Sequence, residues 1–188
     1  MGIDRVVGAR SQLSSHPLAR QRMNIFTRLL GGVPKEDRGG IRLAEPQPWE
    51  VSPTKDVERF LRALPLLAPV GTNVYFEGTG EAHVAKYLEG VAIEPPVQVA
   101  VGIIWPKPDC YHVPLTQATM GDLVSFLGRR PAGYFCTHCH VYRDRSMLLE
   151  WHDAFGTDPM YVSRTIEDSD LERFVAAIGG SCTSRRAG

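Results

Sequence analysis

The chain has 188 residues, of which 43% are hydrophobic and 22% are charged, a composition typical of a globular protein. Lys plus Arg and Asp plus Glu both number 21, so the formal net charge is zero and the chain as a whole has no electrostatic attraction for nucleic acid or anionic lipid. No window approaches the roughly 18 uncharged apolar residues of a membrane span, and the start of the chain lacks the apolar core of a secretory signal. We therefore expect a cytoplasmic protein that binds neither nucleic acid nor membrane.

The two ends and one internal segment show little apolar periodicity. Residues 1–22 carry four arginines and one aspartate, and we predict a disordered basic extension. Met23 resembles a natural start, so the extension is either dispensable or an ordinary flexible tail. The Gly- and Pro-rich residues 31–53 are predicted to be irregular, and residues 181–188 are predicted to be a disordered tail. A single domain is expected over residues 23–180.

Four segments have the spacing of amphipathic helices, with apolar residues at i, i+3, i+4 and i+7. The first follows Pro53, which suits the first turn of a helix. The second covers about 80–89, the third follows Thr116, and the fourth begins near Thr165 and ends at Gly179.

Six segments rich in β-branched and aromatic residues are predicted strands. Strand, helix, strand at the beginning predicts a right-handed parallel βαβ unit, and the short connections near the end predict an antiparallel meander. The predicted fold class is thus α/β (α+β), with a single mixed sheet and about four packed helices. The predicted strands are 73–77, 97–105, 111–115, 137–143, 147–152 and 160–163.

The last long pair of strands forms a predicted hairpin whose register follows from its apolar face. Side chains alternate across a strand, so the two apolar faces coincide only if residues of the same parity pair. A loop of residues 144–146 gives this register. Cys139 then lies opposite Trp151, and His140 lies opposite Glu150.

In the same register His138 lies opposite His152, which brings three imidazoles to one face of the hairpin. Three histidines with an open fourth position are typical of a catalytic zinc site, so zinc is the cofactor that His138, His140 and His152 could hold. Glu150 would be a fourth ligand, an orienting group or a general base. The alternatives are an ordinary polar strand face stabilised by cross-strand pairs, and acid–base chemistry without a metal.

The sequence Cys136-Thr-His-Cys139 has the spacing of half a structural zinc site. A second pair of ligands would have to come from Cys110 and His112, which lack that spacing. If the strand begins at residue 137, Cys139 points into the core, where a free cysteine behaves as a small hydrophobic residue.

A second candidate site lies where the predicted parallel strands end. Ligands of α/β sheets bind at the carboxyl ends of adjacent parallel strands, and this edge would carry Glu77, Lys107 and Asp109. These three residues are therefore candidate ligand-binding residues, and the alternative is an ordinary surface loop.

The sequence contains no Gly-x-Ser-x-Gly nucleophile motif and no Walker-type loop. From this we expect a non-catalytic protein that acts through a protein partner or as an accessory factor. The rival hypotheses are a metal-dependent hydrolase or metal-binding protein that uses the three histidines, and a small-ligand binder at the carboxyl edge. Nothing in the sequence indicates an oligomeric state.

Overall fold

The structure is a computed structural model, and it describes residues 39–68, 70–103, 106–127 and 130–184. The expectations for residues 1–22 and for the last four residues of the tail lie outside the described residues.

The described strands form one seven-stranded sheet in the order β3-β2-β4-β5-β6-β1-β7. Every pair of neighbouring strands is antiparallel. The fold is therefore α+β with a single antiparallel sheet. The strands are β1 (Trp49–Val51), β2 (Asn73–Glu77), β3 (Cys110–Pro114), β4 (His138–Arg143), β5 (Ser146–Trp151), β6 (Met160–Val162) and β7 (Cys182–Ser184).

The predicted parallel βαβ unit is wrong, and so is the mixed sheet. β2 and β3 are neighbours, but they run in opposite directions, and Tyr75 pairs with His112. The described residues of the segment predicted as a strand at 97–105 lie outside the sheet. Of these residues, Val99 makes only an isolated parallel bridge to Ile41. The predicted meander is confirmed, since β4, β5 and β6 are sequential antiparallel neighbours.

Four α-helices occur in the described part of the chain, close to the four predicted positions. They are α1 (Val57–Leu67), α2 (Ala82–Val91), α3 (Gln117–Leu127) and α4 (Asp168–Ile178). Asp56 caps α1 by accepting the Arg59 N–H at 2.9 Å, and Gly179 ends α4 in the left-handed region with φ 69°. No helix among the described residues is long and apolar enough to cross a membrane.

The main core lies between the helices and one face of the sheet. Phe60 of α1 is fully buried at its centre, with its ring centroid 4.9 Å from Trp151, 5.5 Å from Phe155 and 6.2 Å from Phe174. Truncation of such a buried aromatic residue typically costs about 3–5 kcal/mol, so this cluster fixes α1 and α4 against β5.

Two short strands lie where the sequence indicates irregular structure. β1 is within residues 31–53, and β7 is within the predicted frayed tail. Glu50 of β1 pairs with Tyr161 of β6 on one side and Thr183 of β7 on the other. Strands of three residues have too few positions to show alternation, so no sequence pattern marks them.

Candidate functional site

The face of the sheet turned away from the helices carries titratable side chains at alternating positions of four neighbouring strands. Several are buried: Glu77 is 0% exposed and His140 is 1% exposed. Buried ionisable groups are costly unless they are paired, and their concentration in one place indicates a functional site. We call this the polar face. Its members are Tyr75, Glu77, Cys110, His112, His138, His140, Tyr142, Glu150 and His152.

The hairpin register expected from the sequence is present in the structure. Cys139 pairs with Trp151, and His140 pairs with Glu150. The apolar pair packs in the main core and the polar pair lies on the polar face, as the alternation of side chains requires.

The loop end of the hairpin differs from the prediction. A β-bulge follows Val141, so Tyr142 pairs with Met147 and Arg143 pairs with Ser146. The connection is therefore a turn of two residues rather than three, with Asp144 at φ 53°. The bulge absorbs one extra residue without moving the histidines to the other face.

The three histidines lie close together on the polar face. The ring centroids of His138 and His140 are 6.3 Å apart, and that of His152 is 5.1 Å from the first and 5.0 Å from the second. We call these three residues, together with Glu150, the histidine cluster.

Backbone N–H groups determine the tautomers of His138 and His140, which we call the inner histidines. Nδ1 of His138 accepts the Asp153 N–H at 3.0 Å, and Nδ1 of His140 accepts the Trp151 N–H at 3.2 Å. A neutral imidazole with an acceptor at one nitrogen carries its hydrogen on the other. Both rings therefore present an Nε2–H group. The Asp153 backbone has φ 44°, in the left-handed region. Such strained conformations of non-glycine residues are common at functional sites.

His140 Nε2 has no hydrogen-bond partner among the described residues, although the atom is buried. The Tyr75 ring stacks on the His140 ring, with centroids 5.6 Å apart and planes 9° apart. An unpaired buried donor costs about 1–3 kcal/mol, so nearly all such groups in native proteins have a partner. The Nε2–H of His140 is thus a buried donor that no described residue satisfies.

His152 and Glu150 form a hydrogen-bonded pair at the more exposed side of the cluster, and this pair is an ion pair when His152 is protonated. His152 Nε2 is 3.0 Å from Glu150 Oε1, and the two side chains are 42% and 17% exposed. The hydrogen bond to Glu150 is the main cause of a raised pKa at His152. Burial opposes ionisation of Glu150, but the His152 hydrogen bond and the N–H of Leu43 outweigh it and lower the pKa of this carboxyl.

The pKa values of the inner histidines are shifted in the opposite direction to that of His152, and so is the pKa of His112. Burial, reinforced by the nearby His152, lowers the pKa of His140 to about 3. Burial also lowers the pKa of His138, and that of His112 to about 4. At neutral pH the cluster therefore combines two neutral donor rings with one imidazole that is readily protonated.

In this hydrogen-bonding arrangement the rings of His138 and His140 present no free lone pair to a zinc ion, and zinc binding stays a prediction. A histidine ligand needs a free lone pair on the metal-binding nitrogen, but the lone pairs on Nδ1 of His138 and His140 are taken by backbone N–H groups. His152 Nε2 is engaged by Glu150. Within residues 39–184, apart from the five that the structure leaves undescribed, no group of three or more His, Cys, Asp or Glu side chains is arranged to hold a metal ion.

The candidate residues of the carboxyl edge, Glu77, Lys107 and Asp109, do not lie at the ends of two neighbouring parallel strands. Glu77 is fully buried, whereas Lys107 and Asp109 lie exposed in the segment before β3. The Glu77 carboxylate is occupied inside the protein: Oε1 accepts the Ile103 N–H at 2.5 Å, and Oε2 accepts the Gly102 N–H at 3.0 Å.

The two cysteines of the Cys-x-x-Cys sequence are buried and free. Burial raises the pKa of both the Cys136 and the Cys139 thiols, which makes them inert. Of the other two expected ligands, Cys110 contacts the Tyr75 hydroxyl at 3.0 Å and His112 contacts Tyr142.

Three members of the polar face were not placed beside the histidines from the sequence: Tyr75, Cys110 and His112. His112 Nδ1 lies 2.7 Å from the Tyr142 hydroxyl, and the Tyr75 hydroxyl donates to Glu77 at 3.0 Å. Alternation within residues 73–77 and 110–114 was the available signal, because Tyr75 and His112 pair across β2 and β3.

No known protein family, no curated protein and no solved structure matches this chain.

Proposed function

We propose that the histidine cluster binds a small ligand with an oxygen acceptor and exchanges a proton with it, without a metal. The observation that carries this proposal is the buried His140 Nε2–H without a partner in the described part of the chain. It lies beside an imidazole that is held in place by a carboxylate, since the His140 and His152 rings are 5.0 Å apart.

Each group of the cluster has a distinct chemical role in this proposal. His140 donates a hydrogen bond to the ligand oxygen, and its lowered pKa keeps it a neutral donor. His152 is the acid or base, because it is partly exposed and its pKa is raised by Glu150. A positioned acid or base of this kind typically contributes about 10²–10⁴-fold to a reaction rate. The supported reaction class is proton transfer to or from an oxygen-bearing substrate.

Nitrogen NMR of the imidazoles tests the proposal directly. Protein with ¹⁵N-labelled histidine is titrated with acetate and with inorganic phosphate as oxygen-acceptor probes. We expect a saturable shift of the His140 Nε2–H signal. His140→Asn is the matched variant, because its amide oxygen replaces the Nδ1 acceptor for Trp151 while the Nε2–H is removed. The variant should stay folded, and the His152 imidazole signals should lose the shift that acetate or phosphate causes in the wild type, whereas His83→Gln on the exposed side of α2 should retain the responses of both rings.

Two results would overturn this function. A His140 Nε2–H signal that neither probe shifts would mean that an ordinary buried water fills the position. Stoichiometric zinc binding that shifts the imidazole signals of His138, His140 and His152 together would support the metal hypothesis instead of this proposal.

The other functions considered from the sequence have no comparable support. The non-catalytic role with a protein partner stays a prediction, and so does zinc binding. The carboxyl-edge binder loses its premise, because the described residues of the segment predicted as the second parallel strand, 97–105, lie outside the sheet.

A further inference from the structure

Two segments cross the polar face and cover the histidine cluster. They are residues 39–43 and 97–103, which we call the cover. The segments are joined by two backbone hydrogen bonds: the Ile41 N–H donates to the Gln98 carbonyl at 2.8 Å, and the Ala100 N–H donates to the Ile41 carbonyl at 3.0 Å. Among the described residues this is an isolated bridge, not a strand pair, so the cover has little regular structure of its own.

The cover packs closely on the side chains beneath it. Val99, with Ile41 and Leu43 beside it, contacts Tyr75 and Tyr142 in a small apolar cluster separate from the main core. Two glycines permit the close approach. A Cβ on Gly40 would collide with the backbone of the other segment at Val99 and Ala100, and one on Gly102 would lie 2.5 Å from His138 Cδ2.

Two carboxylates of the polar face bind the cover through its backbone. Glu77 accepts the N–H groups of Gly102 and Ile103 at 3.0 and 2.5 Å, which holds one segment. Glu150 accepts the Leu43 N–H at 3.0 Å, which holds the other. Hydrogen bonds to charged groups are roughly twice as strong as neutral ones, so two residues supply much of the polar attachment of the cover.

His140 lies between the residues that contact the cover. In the sheet, His140 pairs with Tyr75 on one side and Glu150 on the other. Tyr75 packs under Val99, and Glu150 holds Leu43. A ligand that reaches the His140 Nε2–H must therefore pass a segment that one of these carboxylates retains.

We infer that residues 39–43 and 97–103 form a cover that opens to admit the ligand, and that Glu77 and Glu150 are positioning residues that hold it closed. The purpose of the cover rests on the proposed function, but its opening is a property of the free protein. Segments with few backbone hydrogen bonds are the parts of a protein that open locally, and lids over ligand sites are drawn from them.

Hydrogen exchange of the ligand-free protein tests the inference. The signals followed are the Leu43 amide, the Gly102 amide and the His140 Nε2–H, with the buried Leu64 amide of α1 as a reference for global unfolding. We expect Glu150→Ala to accelerate exchange of Leu43 and of His140 Nε2–H by about tenfold or more, because a hydrogen bond to a charged acceptor is lost. Leu64 should exchange as in the wild type.

Matched variants separate the holding role from a general effect on stability. Glu150→Gln keeps an oxygen acceptor for Leu43 and should restore slow exchange. Glu77→Gln places an amide NH₂ against backbone donors and should release Gly102. Glu58→Ala, an exposed i,i+4 pair of α1 with Arg62, should change none of these rates.

If His140 Nε2–H exchange in Glu150→Ala stays within about twofold of wild type while Leu43 exchange rises, the segment does not control access and the inference fails. The comparison of Glu150→Ala with Glu150→Gln is a sufficient test even if Glu77→Gln does not fold. Ligand binding is not involved, so accelerated exchange without any response to acetate or phosphate would uphold the cover and reject the proposed function.

Discussion

His140 accepts the backbone N–H of Trp151 at 3.2 Å, and so the ring on the polar face is tied to the residue whose indole packs in the main core. The bond spans the two faces of the hairpin. It fixes the Nδ1 atom as an acceptor and leaves Nε2–H as the group that faces outward from β4. A substitution on either face of the β4–β5 hairpin should therefore perturb the residues on the other face.

The first prediction concerns the tautomers of the inner histidines. Long-range ¹H–¹⁵N spectra should show His138 and His140 as neutral Nε2–H rings at pH 7, because backbone N–H groups occupy Nδ1. His152 should be the most readily protonated of the three, since Glu150 raises its pKa. An Nδ1–H tautomer at either inner ring would contradict the assignment and return that ring to the set of possible zinc ligands.

The second prediction concerns the stability that the His140–Trp151 bond provides. His140→Leu leaves the buried Trp151 N–H unpaired, and the free energy of unfolding should fall by about 1–3 kcal/mol. His140→Asn retains an acceptor and should cost clearly less. Urea denaturation of the two variants measures the difference. Equal losses would show that the volume of the ring, not its acceptor nitrogen, determines the stability.

The third prediction distinguishes the four free cysteines by reactivity. Cys136 and Cys139 are buried, whereas Cys110 and Cys182 are half-buried, and burial raises the pKa of all four thiols, that of Cys110 to about 11. Alkylation of the native protein with iodoacetamide, read by mass spectrometry, should modify only the second pair and should do so slowly, because these thiols are accessible but their raised pKa values keep them mostly un-ionised. In urea all four should react. Native labelling of Cys139 would contradict its place in the core opposite Trp151.

The helices and the central hairpin could be predicted from the sequence because local patterns determine them. Apolar spacing marks α1 to α4, and the need to place Cys139 and Trp151 on one face determines the hairpin register. That register also brings His138 and His152 together, so the candidate cluster follows from the same alternation of side chains.

The parallel βαβ unit was wrong for a reason that lies outside those local patterns. The strand-like residues 97–103 include apolar side chains that pack on the polar face, and the N–H groups of Gly102 and Ile103 bond to the side chain of Glu77 instead of a neighbouring strand. A buried carboxylate that replaces a strand as hydrogen-bond partner is a tertiary effect, and strand propensity does not record it.

The last prediction is a loss of stability in mild acid. The pKa of His112 is lowered to about 4 and that of His140 to about 3 by burial, and the pKa of His138 is lowered too. An unfolded histidine titrates near pH 6.5, so below this pH the unfolded chain binds more protons than the folded one. The stability that these neutral rings contribute is complete above about pH 6.5 and is lost as the pH falls towards their folded pKa values, with a slope of up to about 1.4 kcal/mol per pH unit for each ring.

Urea denaturation between pH 7 and pH 5 measures this slope. His112→Gln should lower it by about one proton, because the variant removes one buried imidazole while its amide can still meet the Tyr142 hydroxyl. His152 acts in the opposite direction. Its raised pKa contributes stability that is fully present below about pH 6.5 and is lost as the pH rises through the folded pKa, so His152→Gln should make the acid decline steeper. His83→Gln on the surface of α2 is the matched control. An unchanged slope in His112→Gln would mean that this ring takes up its proton as readily in the folded protein as in the unfolded chain, and the lowered pKa assigned to it would be wrong.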